Sequence, residues 1–196
     1  LAAGVRLTSN DMLHKGDWIT VKSVDANGIV EELSLTTVKV RNFDNTIVTI
    51  SPATLVNGSF QNWIGMQQSG GRRVQRKVYF DFRSIRLVSD ELKARLLEKR
   101  FATEESFKLN ETPTNLQLYR QYMEKYLRER SEVNTEMTLM VRQLEATQCG
   151  LPMEFYFFVK DKVWVNYEHI LAEIMEHAYA LSAEFGLTIY QQYPEQ

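Results

Sequence analysis

The hydrophobic pattern of the first third of the chain is typical of short β-strands. Residues 17–24 alternate between apolar and polar side chains, which is the period of a half-buried strand. Similar runs and turn signals follow closely. The predicted strands cover 17–24, 29–35, 38–41, 46–50 and 55–60, with Asn27-Gly28 as a tight hairpin and Asp44-Asn45 as a second turn. Five short strands so close together predict a small, bent, five-stranded Sm-like β barrel over residues 16–68.

The rest of the chain mixes strand and helix patterns. Ser69-Gly70-Gly71 is the predicted domain boundary, because a glycine pair separates the first β segment from a new strand. The predicted order is a strand at 74–82, a helical insert at 89–134, strands at 136–147 and 153–160, a helix from 164 that Gly186 ends, and a strand at 187–192. This order predicts a ferredoxin-like (split βαβ) α+β domain over 69–196, with the insert in its first crossover.

The helices of the second region are predicted from amphipathic spacing and from their caps. Ser89 and Thr114 are good N-cap residues before two of these helices. Apolar residues then recur at intervals of three and four, which places them on one helix face. The predicted buried positions are Leu92, Leu96 and Leu97, then Leu116, Tyr119, Tyr122, Met123, Tyr126 and Leu127, and finally Trp164, Tyr167, Leu171, Ile174, Ala178 and Leu181.

Composition places the chain among folded globular proteins. Its 196 residues are 44% hydrophobic and 24% charged, which argues against disorder. No apolar run approaches the roughly 18 residues that a membrane-spanning helix needs. The single Cys149 excludes an internal disulfide. The chain starts at Leu1 without a methionine, and we expect residues 1–15 to be a stub and linker that continue an upstream segment.

Charge is unevenly distributed, although the net charge is only −2. Residues 72–100 contain ten basic and four acidic side chains, a net +6, whereas residues 101–196 contain eight basic and fifteen acidic ones, a net −7. The basic part starts with Arg72, Arg73, Arg76 and Lys77, beside the aromatic Tyr79 and Phe80. Cations that bind phosphate and aromatics that stack on bases suit nucleic acid. A small-barrel nucleic-acid-binding protein is therefore the alternative hypothesis, against which the acidic balance of the whole chain argues.

The sequence offers little that favours catalysis. His169, Glu173 and His177 share one helix face, but a metal site needs further ligands, so a solvated face is the favoured interpretation. Cys149 has no basic neighbour in sequence that would activate a thiol. The segment 69–73 lacks the Lys-Ser/Thr pair of a phosphate-binding P-loop. We expect no catalytic residue, no metal and no cofactor.

A series of scattered motifs resembles a known family. They are Gly16-Asp17-Trp18-Ile19, Gly28-x-Val30, Thr36-Thr37, Asp44 and Phe60-Gln61-Asn62-Trp63. With these motifs the chain resembles the cytoplasmic part of the small-conductance mechanosensitive channel (MscS) superfamily. Segments 69–73, 150–154 and 184–187 are similar to the miniconductance, YbdG-like branch. The resemblance extends over nearly the whole chain.

The resemblance implies a homo-heptameric bacterial inner-membrane channel that opens under membrane tension during hypo-osmotic shock. This segment would be its cytoplasmic vestibule below absent pore helices. Its implied partners are further copies of itself, the membrane through those helices, and permeant ions and small solutes, with no nucleic acid. The implied assembly residues of the β domain are Gly16, Asp17, Gly28, Thr37, Asp44, Asn62 and Trp63. Arg72, Arg73, Arg76 and Lys77 are the candidates for vestibule charge.

The sequence departs from the family pattern in three places. Ser51 stands between the fourth predicted strand and Pro52, where the family often has proline directly. The insert at 89–134 is longer than in small-conductance relatives. Only four residues follow Gln192, so we do not expect the extra strand that closes the cage base in those relatives.

Overall fold

The computed structural model describes residues 1–108 and 112–192 and divides the chain into two compact units. Unit 1 is Leu1–Ser69 and unit 2 is Gly70–Gln196. Both are α/β mixtures with antiparallel sheets. In these described residues, no helix has the length and apolar character needed to cross a membrane.

Unit 1 is a five-stranded antiparallel sheet with three short helices. In chain order its elements are α1 (Ala2–Ser9), β1 (Trp18–Val21), β2 (Ala26–Leu33), β3 (Val38–Asn42), β4 (Ile47–Ile50), α2 (Pro52–Asn57), β5 (Gln61–Asn62) and α3 (Ile64–Gln68). The strand order is β4-β3-β2-β1-β5. No ladder joins β4 to β5 among the described residues. The predicted mixed fold class is thus confirmed, whereas closure into an Sm-like barrel is not.

The predicted hairpin at Asn27-Gly28 is wrong, because both residues lie inside β2. The turn is made earlier, by a 3₁₀ helix at Lys22–Val24 and by Asp25 in the left-handed region at φ 52°. Gly28 serves a different purpose. A Cβ atom there would lie 1.9 Å from the Arg41 carbonyl oxygen of β3, so only glycine allows the two strands to approach this closely.

The predicted strand at 55–60 is also wrong, since residues 52–57 form the helix α2. The hydroxyl of Ser51 accepts a hydrogen bond from the Thr54 amide at 3.3 Å, and Pro52 occupies the first helical turn. Both features favour a helix start. The inserted Ser51 therefore has a structural role as a cap, and the fifth strand is the shorter Gln61–Asn62.

Residues 1–15 are packed into unit 1. Leu7 and Leu13 are fully buried in its core together with residues of β1, β2 and β3. Gly4 allows α1 to lie close to the β2–β3 turn, because a Cβ atom there would be 2.4 Å from the Leu35 carbonyl oxygen. The segment expected to be a stub and linker thus supplies part of the core.

In its described residues, unit 2 combines a three-stranded antiparallel sheet with three helices. Its elements are β6 (Arg72–Phe80), α4 (Asp90–Glu98), α5 (Asn115–Glu129), β7 (Met140–Gln143), β8 (Leu151–Val159) and α6 (Trp164–Ser182). Short 3₁₀ helices lie at Phe82–Ser84, Glu104–Phe107 and Ala183–Phe185. The strand order is β6-β8-β7.

The last predicted strand, 187–192, is reduced to a single bridge between Ile189 and Phe80 in the described part of the chain. Two backbone hydrogen bonds flank that bridge, from Tyr190 to Tyr79 at 2.8 Å and from Asp81 to Thr188 at 2.9 Å. The strand predicted at 136–147 contracts to the four residues of β7. A complete ferredoxin-like sheet is therefore not confirmed.

Helices α4 and α5 begin at the predicted caps. The Ser89 hydroxyl accepts from the Leu92 amide at 3.2 Å, and the Thr114 hydroxyl accepts from the Gln117 amide at 3.1 Å. Gly186 ends the α6 region in the left-handed conformation, at φ 69°. Of the stripe predicted on α6, only Trp164 is wrong: it lies at the first turn and is 55% exposed.

A buried carboxylate lies on the central strand of the unit 2 sheet. Glu154 is 1% exposed and accepts hydrogen bonds from Arg142 Nε at 2.8 Å and Gln75 Nε2 at 3.1 Å. Burial acts to raise its pKa, but the bonds from Arg142 and Gln75 outweigh burial and leave the pKa of Glu154 below its ordinary value. Glu154 therefore stabilises unit 2 in its charged form.

We expect Gly28→Ala to destabilise the chain by about 2–4 kcal/mol, because the added methyl group collides with β3. The matched control is Gly65→Ala, since a Cβ atom there meets nothing within 4 Å. In helix α3 the control should leave stability unchanged or raise it by up to about 1 kcal/mol. Urea denaturation of both variants tests this, and equal stabilities would contradict it.

We expect Glu154→Gln to cost about 1–2 kcal/mol at pH 7, because the hydrogen bonds to a charged acceptor are lost. A lowered carboxyl pKa contributes stability that is present above the ordinary value of 4.5 and is lost as the pH falls through the folded value. The difference between wild type and variant should therefore shrink below pH 4.5. Denaturation curves from pH 7 to pH 3 measure it, with the exposed Glu145→Gln as control. A difference independent of pH would refute the assignment.

Candidate functional site

A buried carboxylate connects the ends of unit 1. Asp17 is 6% exposed, and its Oδ2 accepts from the His14 amide at 3.0 Å and from Asn62 Nδ2 at 2.8 Å. Asn62 Nδ2 also lies 3.4 Å from the Met12 carbonyl oxygen. The short strand β5 is thus fixed to β1 and to the segment after α1. Two residues distant in sequence, Asp17 and Asn62, are brought together as one group.

An aromatic pair lies beside this group. The Trp18 and Trp63 rings stack with centroids 4.3 Å apart and an interplanar angle of 11°. Both indole nitrogens are satisfied: Trp63 Nε1 donates to Thr20 Oγ1 at 3.0 Å, and Trp18 Nε1 donates to Asn27 Oδ1 at 2.8 Å. Phe43 meets Trp18 edge-on at 5.4 Å. Stacking of this kind stabilises by roughly 0.5–1.5 kcal/mol beyond burial and gives unit 1 a rigid aromatic surface.

The other predicted residues of unit 1 divide into two groups. Gly28 pairs with Ile19 across β1 and β2, and Ile19 also pairs with Asn62. Gly16, at φ 94°, donates its amide to the Val30 carbonyl at 2.8 Å. The structure therefore brings together Gly16, Asp17, Gly28, Asn62 and Trp63.

Thr37 and Asp44 lie apart from that group, in two turns. The Thr37 amide donates to Ser34 Oγ at 3.0 Å and closes the β2–β3 connection. Asp44 Oδ1 accepts from the hydroxyl of Thr46 at 2.6 Å and from its amide at 3.0 Å. These bonds hold the pKa of Asp44 below its ordinary value. Both residues shape backbone turns.

Sequence reasoning missed the role of Asn27. The sequence predicted that Asn27 lies in a turn. In the structure its side-chain oxygen accepts hydrogen bonds from Trp18 and Thr20, and its backbone amide donates to Asn42 Oδ1 at 2.8 Å. The alternation of side chains along the strands could have shown this contact, because a turn at residues 22–25 places Asn27 opposite Thr20.

The predicted basic cluster lies on β6, which is an edge strand of the three-stranded sheet of unit 2. Arg72 and Arg76 fall on one face of the strand and Arg73 and Lys77 on the other, because successive side chains alternate. Arg72 lies 4.5 Å from the centre of the Tyr167 ring. Lys77 is paired in register with the buried Glu154. The four cations are thus divided between two faces, and Arg73, Arg76 and Lys77 are exposed whereas Arg72 is partly buried.

The predicted His-Glu-His helix face is occupied by other contacts. Glu173 Oε2 accepts from Arg130 at 3.0 Å, and His177 Nε2 is 3.1 Å from the Tyr122 hydroxyl. Burial, followed by the charge of Arg130, lowers the pKa of His177. Within residues 1–108 and 112–192, no three His, Cys, Asp or Glu side chains form a possible metal cluster.

A family model supports the interpretation of unit 1. Residues 1–65 match the family described as the mechanosensitive ion channel β-domain. This match contains all seven predicted residues of the β-domain motifs.

Solved structures support the fold over nearly the whole chain. The cryo-EM structure of Arabidopsis thaliana MSL1 has a TM-score of 0.70 at 12% identity, covering 97% of this chain and 57% of that one. Its A320V variant has a TM-score of 0.67 at 12% identity, with coverage of 97% and 60%.

The crystal structure of Helicobacter pylori MscS in the closed state has a TM-score of 0.63 at 13% identity, covering 100% of this chain and 62% of that one. The chain thus spans about three fifths of the length of these channels. At such identities the likeness concerns the fold. Residues 1–65 therefore match the mechanosensitive ion channel β-domain family, and the chain as a whole is similar in fold to the solved MscS structure.

Proposed function

We propose that this chain is the cytoplasmic vestibule region of a bacterial MscS-type channel that opens under membrane tension during hypo-osmotic shock. The match of residues 1–65 to the channel β-domain carries the proposal, and the fold likeness over 97% of the chain supports it. The pore helices would precede Leu1 in the full-length protein, in the inner membrane. Segments 69–73 and 150–154 favour the miniconductance, YbdG-like branch.

In this proposal unit 1 assembles with copies of itself, as a heptamer. The sheet ends in β4 and in the two-residue β5, and open strand edges favour pairing with further chains. Three large apolar side chains are almost half exposed, namely Leu35, Phe43 and Ile47. Such groups are stabilised when a neighbouring subunit covers them. Trp18 and Trp63 would hold Phe43 and β5 in the geometry that assembly needs.

The cations of β6 would act on permeant ions and small solutes. Arg73 and Lys77 share one strand face and are exposed. Charges that line a confined aqueous space raise the local concentration of counter-ions. We propose that β6 faces the vestibule and that its cations favour anions there. Opening is a population shift under tension and takes place chiefly in the pore helices.

Trp63→Ala should impair assembly of the full-length channel and its ability to protect bacteria from hypo-osmotic shock. The substitution removes the ring stacked on Trp18 and the hydrogen bond to Thr20. We expect a smaller oligomeric mass by native mass spectrometry. We also expect lower survival of hypo-osmotic shock in bacteria that lack other mechanosensitive channels. Trp63→Phe, which keeps an aromatic ring, is the control and should retain most of the oligomeric mass and most of the survival.

A wild-type full-length chain that gives no protection and no tension-gated current would disprove the proposed function. RNA binding that weakens as the salt concentration rises would favour the nucleic-acid alternative.

Reversing the β6 charges should change ion preference without affecting assembly. In Arg73→Glu/Lys77→Glu channels, the reversal potential in a salt gradient should shift towards cation preference. A matched double reversal at exposed positions of α5, Lys125→Glu/Arg128→Glu, controls for net charge. An equal shift in both variants, or none in either, would contradict the placement of β6 at the vestibule.

A further inference from the structure

A cavity of about 400 Å³ opens in the helical insert of unit 2. Its walls come from the segment that follows α4, including Arg100 and Thr103, and from one face of α5, including Gln121, Tyr122 and Lys125. The residues that line this cavity include none of the family motifs and none of the predicted site residues. The volume is within the range of small-molecule sites.

Aromatic side chains form one wall of the cavity and are held in place from behind. Tyr122 and Tyr126 line it, with ring planes only 14° apart and centroids 6.4 Å apart. His177 of α6 stacks on Tyr126 at 4.2 Å and lies within hydrogen-bonding distance of the Tyr122 hydroxyl. Phe101 meets Tyr122 edge-on at 5.4 Å. The wall is therefore preorganised, which lowers the cost of binding a flat ring.

Cations dominate the charged part of the lining. Among the described residues, Lys99, Arg100 and Lys125 line the cavity together with one carboxylate, that of Glu129. Lys99 is engaged by Glu184 at 2.7 Å. Lys125 and Glu129 are 3.7 Å apart with both side chains about two-thirds exposed, and such a pair is weak. An anionic ligand can therefore recruit Lys125.

Arg100 directly follows the end of helix α4 and lines the cavity. Its φ is 60°, in the left-handed region that is unfavourable for side chains other than glycine, asparagine and aspartate. Across the described ranges, 1–108 and 112–192, its guanidinium has no hydrogen-bond or ion-pair partner. Glycine would adopt this backbone conformation at lower cost. The left-handed backbone is that of a helix C-terminus, because the Phe101 amide donates to the Leu96 carbonyl oxygen at 2.9 Å and the Arg100 amide to the Leu97 carbonyl oxygen at 3.1 Å. This helix end places the exposed guanidinium of Arg100 at the cavity, where an anionic ligand can reach it.

We propose that this cavity binds a small anion with a planar ring, of the nucleoside monophosphate class. The ring lies against Tyr122 and Tyr126, and the phosphate is bound by Arg100 and Lys125, since arginine suits phosphate geometry. Gln121 and the hydroxyl of Thr103 supply hydrogen-bonding groups between these two ends. The proposal does not depend on the channel function.

Isothermal titration calorimetry of the 196-residue chain tests the proposal, with AMP, GMP, CMP and UMP as probes. We expect at least one to bind with a Kd below about 1 mM. The corresponding nucleoside and inorganic phosphate should each bind at least about tenfold more weakly, because each retains only one kind of contact. No heat from any of the four at 5 mM, about fivefold above that Kd, would overturn the proposal. Equally tight binding of inorganic phosphate would overturn its planar-ring requirement.

Two variants locate the site without threatening the fold. Arg100→Gly relieves the left-handed strain, so thermal stability should be unchanged or higher while affinity falls about tenfold or more. Gln121→Glu places a carboxylate in the cavity at an exposed position and should weaken binding similarly. Arg128→Gln on the same helix makes the same net charge change outside the lining and should have no effect. Wild-type affinity in both cavity variants, or an equal loss in the control, would refute this location.

Discussion

The bonds of one buried carboxylate hold unit 1 together. Asp17 is fixed by the His14 amide and by Asn62, and Asn62 reaches the Met12 carbonyl as well. A strand of two residues cannot hold its register by its own ladder, so β5 depends on this side-chain contact. The stacked indoles of Trp18 and Trp63 follow from it, because each directly follows one partner of the Asp17–Asn62 pair. The aromatic surface proposed for assembly is thus a consequence of a buried polar contact, and an unsatisfied carboxylate there would be costly.

Unit 2 relies on a similar group. Asn115 is fully buried, and its Oδ1 accepts from the Arg86 and Leu116 amides while its Nδ2 donates to the carbonyl oxygens of Ser84 and Phe185. All four hydrogen-bonding positions of the amide are used. These bonds join the loop after β6, the start of α5 and the end of α6. They fix α5 against the segment that carries Phe185, and so they position the tyrosine wall of the cavity.

How much of this the sequence could predict depends on the range of the interactions. The α4 and α5 caps at Ser89 and Thr114 and the stop at Gly186 are local signals, and the structure uses them as predicted. Gly28 was misjudged because a glycine required by a close neighbouring strand has the same appearance in sequence as one required by a turn. Residues 55–60 were predicted as a strand, but the Ser51-Pro52 pair starts a helix that covers residues 52–57. Closure of the sheet and pairing of the last strand depend on contacts between residues distant in sequence, and the periodicity of a single segment does not predict such contacts.

The predicted site residues of unit 1 mostly shape the backbone, whereas the groups that can contact other molecules lie elsewhere. Gly16, Gly28, Thr37 and Asp44 act on the backbone, through left-handed conformation, close strand approach and turn bonds. All four residues lie within the range that matches the channel β-domain family, residues 1–65. Groups that can act on other molecules are elsewhere: the exposed apolar side chains of unit 1, the cations of β6 and the strained Arg100. Arg100 lies in a helical insert outside the family match. The end of helix α4 places the guanidinium of Arg100 beside the preorganised wall of Tyr122 and Tyr126, so the proposed ligand site depends on residues that the β-domain match does not contain.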